Sequence, residues 1–121
     1  MIKTLFTHTE NGVHYATVPK TDFEQIYLRL REKEQRIPTD GEVKQLPRVP
    51  AGHPHSKEWR LRRMTLRKFQ RYAAGKNFET MLDIGCGNGW FTAQLKPFAK
   101  EIVGMDVTRL ELETAPEFMS H

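Results

Sequence analysis

The residues with chemistry in their spacing are Gly85, Gly87 and Gly89, three glycines at alternate positions. They follow a short apolar run, 80–84, into which a single acid, Asp83, is set. Trp90, Phe91 and Leu95 then fall at helical spacing. A strand, a glycine turn and a helix in that order make a nucleotide-binding turn: glycine admits backbone conformations that a Cβ forbids, and the helix start directs N–H groups back at the turn. The spacing separates the cofactor classes. A dinucleotide turn, G-x-G-x-x-G/A, needs a small residue where this chain has Trp90. A phosphate loop needs a Lys-Ser/Thr pair after its last glycine, and none follows. A second apolar run, 101–106, ends on Asp106, 21 residues after Gly85. There a second parallel strand would deliver a carboxylate able to accept hydrogen bonds from both ribose hydroxyls. Either feature alone is a weak signal, common in α/β proteins; together they make a strong one.

The pattern Asp83-x-Gly85-x-Gly87-x-Gly89 resembles the first motif of the class I S-adenosylmethionine-dependent methyltransferases, and Asp106 matches the ribose-binding acid of their second. The order Leu46-Pro47, Glu58-Trp59-Arg60, Leu82 to Trp90, Val103 to Val107, then Glu111 to Ala115, is similar to bacterial members of that family without an assigned substrate. The resemblance spans roughly residues 22–118, and only the two motifs after residue 80 are specific to the family. It implies that Gly85, Cys86 and Gly87 face the methionine part of the cofactor, that Gly89 opens the helix beneath it, and that Asp83 fixes the turn or holds the ammonium through water. It further implies that Asp106 holds the ribose, that Val107 lies against the adenine, and that Trp59 and Arg60 close over the methionine carboxylate. The acceptor is unidentified, with a small molecule favoured. The resemblance marks no catalytic base, because the sulfonium methyl is already activated.

The other candidates carry less. Cys86 reads as a small residue in a tight turn rather than a nucleophile. His8 and His14 lack further ligands at metal spacing, so no metal site is expected. His53 and His55 read as an exposed polar pair. Arg60, Arg63, Arg67 and Arg71 form one stripe on a helix. The stripe supports an alternative function, a nucleic-acid-binding module on the basic helix 57–76, with RNA as partner. Against it stands the lack of aromatic residues expected to be exposed for stacking.

The elements that must position these residues follow in chain order. Residues 3–18 predict a β-hairpin turned at Asn11-Gly12. Residues 22–37 predict a helix capped by Thr21 with Glu24, whose apolar face (Phe23, Ile26, Tyr27, Leu30) packs on the core or a neighbouring subunit. Four prolines across 38–56 predict a linker or lid across the cofactor site. A basic helix over 56–75 is capped by Ser56 and ended by Gly75. Strands over 79–84 and 101–106, a helix over 89–96 and a last short helix from Thr108 complete the chain.

Length and charge bound the rest. With 121 residues the chain holds one domain's worth of sequence. The fold class is α/β, a Rossmann-like parallel sheet of the class I methyltransferase type, incomplete in this chain, with an N-terminal hairpin and helical extension. Residues 1–56 form the extension and 57–121 the first part of the cofactor domain. The expectation is a truncated chain, or one that completes its sheet by borrowing from a partner, as in a homodimer. Residues 57–76 carry eight Lys or Arg against Glu58, and residues 77–121 carry three against seven acids, so the net charge of +4 reflects one basic helix. No apolar run approaches the roughly 20 residues of a membrane span. The lone Cys86 argues for no disulfide, and no export leader is evident, so a cytoplasmic location is expected.

Overall fold

The computed structural model describes residues 6–16 and 22–115. The architecture is mixed α/β, with an antiparallel hairpin and a separate parallel pair of strands.

The hairpin is β1 (His8–Glu10) and β2 (Val13–Tyr15), paired Glu10 with Val13 and His8 with Tyr15. Asn11 and Gly12 both take positive φ, 50° and 80°, which is what a two-residue turn of matching twist requires. The expected outer parts of this hairpin, and the capping residue Thr21, lie outside the described residues.

Helix α1 (Phe23–Lys33) begins after Asp22, without a side-chain cap. The carboxylate of Glu24, expected in a capping box, instead accepts the Arg109 N–H at 3.0 Å. The apolar face of α1 does not pack on a core: Phe23, Ile26 and Leu30 are each more than half exposed. The contribution of α1 comes from one edge of that face, through Tyr27 and the neighbouring Arg31.

The proline-rich stretch is more ordered than a linker. Thr39 and Glu42 form a reciprocal capping box around the short helix α2 (Asp40–Val43). Val43 and Leu46 are buried and anchor the segment. Helix α3 (Ser56–Ala73) then runs for 18 residues, with His55 rather than Ser56 at the cap position. Trp59, Leu66 and Ala73, seven residues apart, form its buried seam. Gly75, at φ 79°, turns the chain out of the helix.

Strands β3 (Phe78–Ile84) and β4 (Ala99–Met105) pair in parallel, from Phe78 with Ala99 to Ile84 with Met105. Between them lie α4 (Trp90–Leu95) and a 3-10 turn over Lys96–Phe98, where Pro97 ends the regular helix. Helix α5 (Arg109–Thr114) follows β4. One face of the strand pair is covered. Gly104 sits where an added Cβ would come within 2.9 Å of Cys86 Sγ and 3.2 Å of Thr92 Oγ1, so a side chain there would clash. The other face shows Leu82, Ile84, Val103 and Met105, all about half exposed or more. Parallel sheets ordinarily bury both faces. The strand–helix–strand unit expected from the glycine motif is therefore present, while a larger methyltransferase-type sheet is not among the described residues.

Four aromatic rings join α3 to α4. Trp59 meets Trp90 edge-on at 5.3 Å between centroids, Trp90 meets Phe91 at 5.4 Å, and Phe69 meets Phe91 at 6.0 Å. The bulk of Trp90, incompatible with a dinucleotide turn, is here the plug that seats the basic helix.

Candidate functional site

Parallel pairing of β3 and β4 brings their C-terminal ends side by side, and the glycine turn and Asp106 emerge there together. Such strand ends are the usual ligand-binding edge of an open α/β sheet. Gly85, Gly87 and Gly89 all have positive φ (77°, 56° and 83°), so each is conformationally required. The N–H groups of Gly85 and Cys86 both donate to the Met105 carbonyl, at 2.8 and 3.0 Å. The Gly87 N–H donates to Asp106 Oδ2 at 2.8 Å, and Asp106 Oδ1 accepts the Thr108 N–H at 2.8 Å. The Gly89 N–H returns to the Cys86 carbonyl at 3.0 Å. Asn88, buried, accepts the Trp90 N–H through its side-chain oxygen at 3.2 Å. Asp83 accepts the hydroxyl of the buried Thr92 at 2.6 Å, tying the end of β3 to α4.

This changes the expected chemistry of the turn. The main-chain donors of residues 85, 86, 87 and 89 are spent inside the protein, so the turn does not offer them to an anion. Asp106 is first of all the clamp that shapes the turn. Each of its oxygens retains further acceptor capacity. A third acid, Glu111 of α5, stands over Gly87, its Oε2 lying 3.3 Å from where a Cβ would be. Any side chain at position 87 would press on that carboxylate. Asp83, Asp106 and Glu111 thus make an acidic pole.

These groups line a cavity of about 370 Å³, within the range of small-ligand sites. Asp83, Gly85, Cys86, Gly87 and Asp106 all contribute to its wall. Gly89 and Val107 do not: Gly89 packs toward Ala115, and Val107 is 79% exposed. The expected contact of Val107 with a ligand therefore has no cavity wall behind it. Trp59 lines the cavity, whereas Arg60 does not and is exposed. Its place is taken by Arg62, whose guanidinium lies 4.5 Å from the Trp59 ring centroid. The offset follows from helical geometry, since Arg60 and Trp59 lie about 100° apart on α3.

The rest of the wall comes from α1, α3 and the proline-rich segment, so that segment does border the site. Arg31 donates to Glu111 Oε1 at 3.2 Å and stacks beside Tyr27. Its Nε is buried with no hydrogen-bond partner among the described residues. Burial pushes the Glu111 carboxyl up from its ordinary range and Asp106 adds to the rise, while Arg31 opposes both. His53 and His55 are not an exposed pair. Both are half-buried in the cavity wall, His53 beside the Glu42 carboxylate at 3.0 Å and His55 beside the Glu34 carbonyl at 2.6 Å. The Thr39 hydroxyl, more than His53, holds the Glu42 carboxyl below its usual value. Arg36 grips Glu58 with two bonds, 2.7 and 2.9 Å, and holds its carboxyl down to about 2.

Cys86 is buried, and burial pushes its thiol up to about 11, with Asp83 and Asp106 adding to the effect. A thiolate is the nucleophilic form, so this environment suits a packing role. Among the described residues no group of three or more metal-ligating side chains converges, and no helix is long and apolar enough to cross a membrane. Sequence reasoning missed Arg31, Glu111 and Thr92. Thr92 carried a usable signal, one turn into the helix that follows Asp83, whereas Arg31 lies 80 residues from Glu111 and carried none. No protein-family model, curated protein or solved structure matches this chain.

Proposed function

We propose that this chain binds S-adenosylmethionine and serves methyl transfer to an as yet unidentified acceptor. One observation carries the reading: the glycine turn and Asp106 occupy adjoining parts of the wall of one ligand-sized cavity. The charge of that wall supports it further. The spent N–H groups and the acids Asp83, Asp106 and Glu111 disfavour a phosphate and favour a ligand with hydroxyls and positive charge. Arg31, which also binds Glu111, and Arg62 are offered by the same cavity wall for a carboxylate, and the buried Arg31 Nε has no partner among the described residues. A cofactor with ammonium, carboxylate, sulfonium and ribose matches a wall that carries both acids and guanidinium groups.

In this reading Gly85, with open space where a Cβ would be, lets the cofactor approach the main chain, Gly87 leaves room for the Glu111 carboxylate, Asp106 receives ribose hydroxyls, and Asp83 supports the turn through Thr92. Arg31 and Arg62 orient the carboxylate, and Trp59 forms an apolar wall. The bound cofactor supplies a methyl group already activated on sulfur. The protein's share is orientation and exclusion of water, and orientation alone is worth roughly 7–11 kcal/mol of such a barrier. Titration calorimetry with S-adenosylmethionine, and with its demethylated product, tests the reading. Saturable heat with either ligand supports it, and no heat with both at millimolar concentration refutes it.

A further inference from the structure

The outer face of α3 takes no part in the cavity. Exposed residues of this helix are Lys57, Arg60, Leu61, Met64, Thr65, Arg67, Lys68, Arg71 and Tyr72. At about 100° per residue they occupy one arc of roughly 160°. The arc holds five cations and no acid. None of the five has an acidic partner among the described residues. The cations of α3 that do have partners point elsewhere: Arg62 lies beside Glu58 and Trp59, and Arg63, expected in the stripe, donates to the Pro47 carbonyl at 3.1 Å. The four-arginine stripe is therefore three arginines, joined by two lysines that the simple spacing did not include.

The arc also carries three exposed apolar groups. Leu61 and Tyr72 are each 61% exposed, and Met64 is 45% exposed. Lys76 lies over one face of the Tyr72 ring at 4.5 Å. An exposed aromatic is thus present where none was expected.

From this arrangement we infer that the outer face of α3 binds a single strand of nucleic acid. The phosphates meet Lys57, Arg60, Arg67, Lys68 and Arg71, and unstacked bases lie against Leu61, Met64 and Tyr72. The cations extend from residue 57 to residue 71, about 21 Å along the helix axis, enough for several nucleotides. Guanidinium groups match phosphate geometry, and apolar and aromatic groups between cations accept base faces without selecting sequence. An anionic membrane fits less well. A helix that lies on lipid inserts its apolar side, and the apolar side of α3 is already buried through Trp59, Leu66 and Ala73. The inference is independent of cofactor binding, since none of these five cations lines the cavity.

The test is fluorescence anisotropy with a labelled 12-nucleotide single strand, a duplex of the same length, and anionic phospholipid vesicles as competitor. Five phosphate contacts predict a slope of log affinity against log salt of about −3.5, or roughly 100-fold weaker binding at 200 mM than at 50 mM salt. The triple variant Arg67→Gln, Lys68→Gln, Arg71→Gln should flatten the slope by about 2 and weaken binding at 50 mM salt at least tenfold. Replacing Arg67 and Arg71 by lysine should keep most of the slope. Calorimetry with S-adenosylmethionine on the glutamine variant should match the unaltered chain, which separates this surface from the cavity. Absence of binding at 50 mM salt, indifference to the glutamine variant, or tighter binding to duplex or vesicles than to the single strand would each overturn the inference.

Discussion

Replacing Asp106 by alanine probes the turn and the cavity at once. Its carboxylate accepts two main-chain N–H groups, from Gly87 and from Thr108, both at 2.8 Å. Hydrogen bonds to an ionised group contribute roughly 1.5–3 kcal/mol each, so two set an upper range of about 3–6 kcal/mol. Asp106 is half-buried and water can reach part of the gap, so the expected loss is about 2–4 kcal/mol. The Gly87 N–H, left without its acceptor, would then destabilise the turn that shapes the cavity. Urea unfolding followed by circular dichroism measures the stability loss, and calorimetry measures cofactor affinity, expected to fall more than tenfold. Asp106→Asn keeps the shape and one acceptor oxygen but removes the charge. It keeps one of the two bonds and sets its NH2 against the other main-chain N–H, so its stability loss should approach that of the alanine variant. A loss below about 0.5 kcal/mol for the alanine variant, with unchanged affinity, would show that Asp106 neither clamps the turn nor meets a ligand.

Three further outcomes follow from the packing. Trp59→Ala removes a buried ring that touches Trp90 and walls the cavity, and should cost about 3–5 kcal/mol in urea unfolding. Cys86, with its thiol pushed up to about 11, should react with iodoacetamide at pH 8 roughly 200-fold more slowly than an ordinary thiol of pKa about 8.5. Because only the thiolate reacts, its rate should keep rising with pH beyond 9, where a free thiol levels off; a plateau near pH 9 would contradict the burial. Ile84 is 75% exposed on the open sheet face, so Ile84→Thr should change stability by less than about 0.5 kcal/mol. A loss above about 2 kcal/mol would mean that another body covers that face in solution.

What the sequence disclosed was local. The Asn11-Gly12 turn and the strand–glycine–helix unit are set by backbone conformation over a few residues, and spacing carries that information; the meeting of Gly87 with Asp106, 19 residues on, follows once the two consecutive strands pair in parallel. Side-chain destinations were less legible. Arg63 and Arg60 look equivalent in a helical stripe, yet one reaches the Pro47 carbonyl and the other reaches water. His53 and His55 sit in a proline-rich stretch that reads as exposed, but Val43 and Leu46 anchor it and turn both rings into the cavity wall. The capping box at Thr39 and Glu42 was present in the sequence and obscured by the surrounding prolines. The partnership of Arg31 with Glu111 depends on tertiary packing across 80 residues, which no periodicity encodes. The apolar face of α1 shows the converse: its spacing is that of a packing surface, and it is open here.

The most direct test of the account is the amide spectrum of the 15N-labelled chain during titration with S-adenosylmethionine. The account predicts saturable shifts of the Gly85 and Gly87 amides, together with that of Asp106 and the Arg31 Nε–H. Unmoved resonances at these positions at millimolar cofactor, or shifts confined to residues away from the cavity, would contradict it.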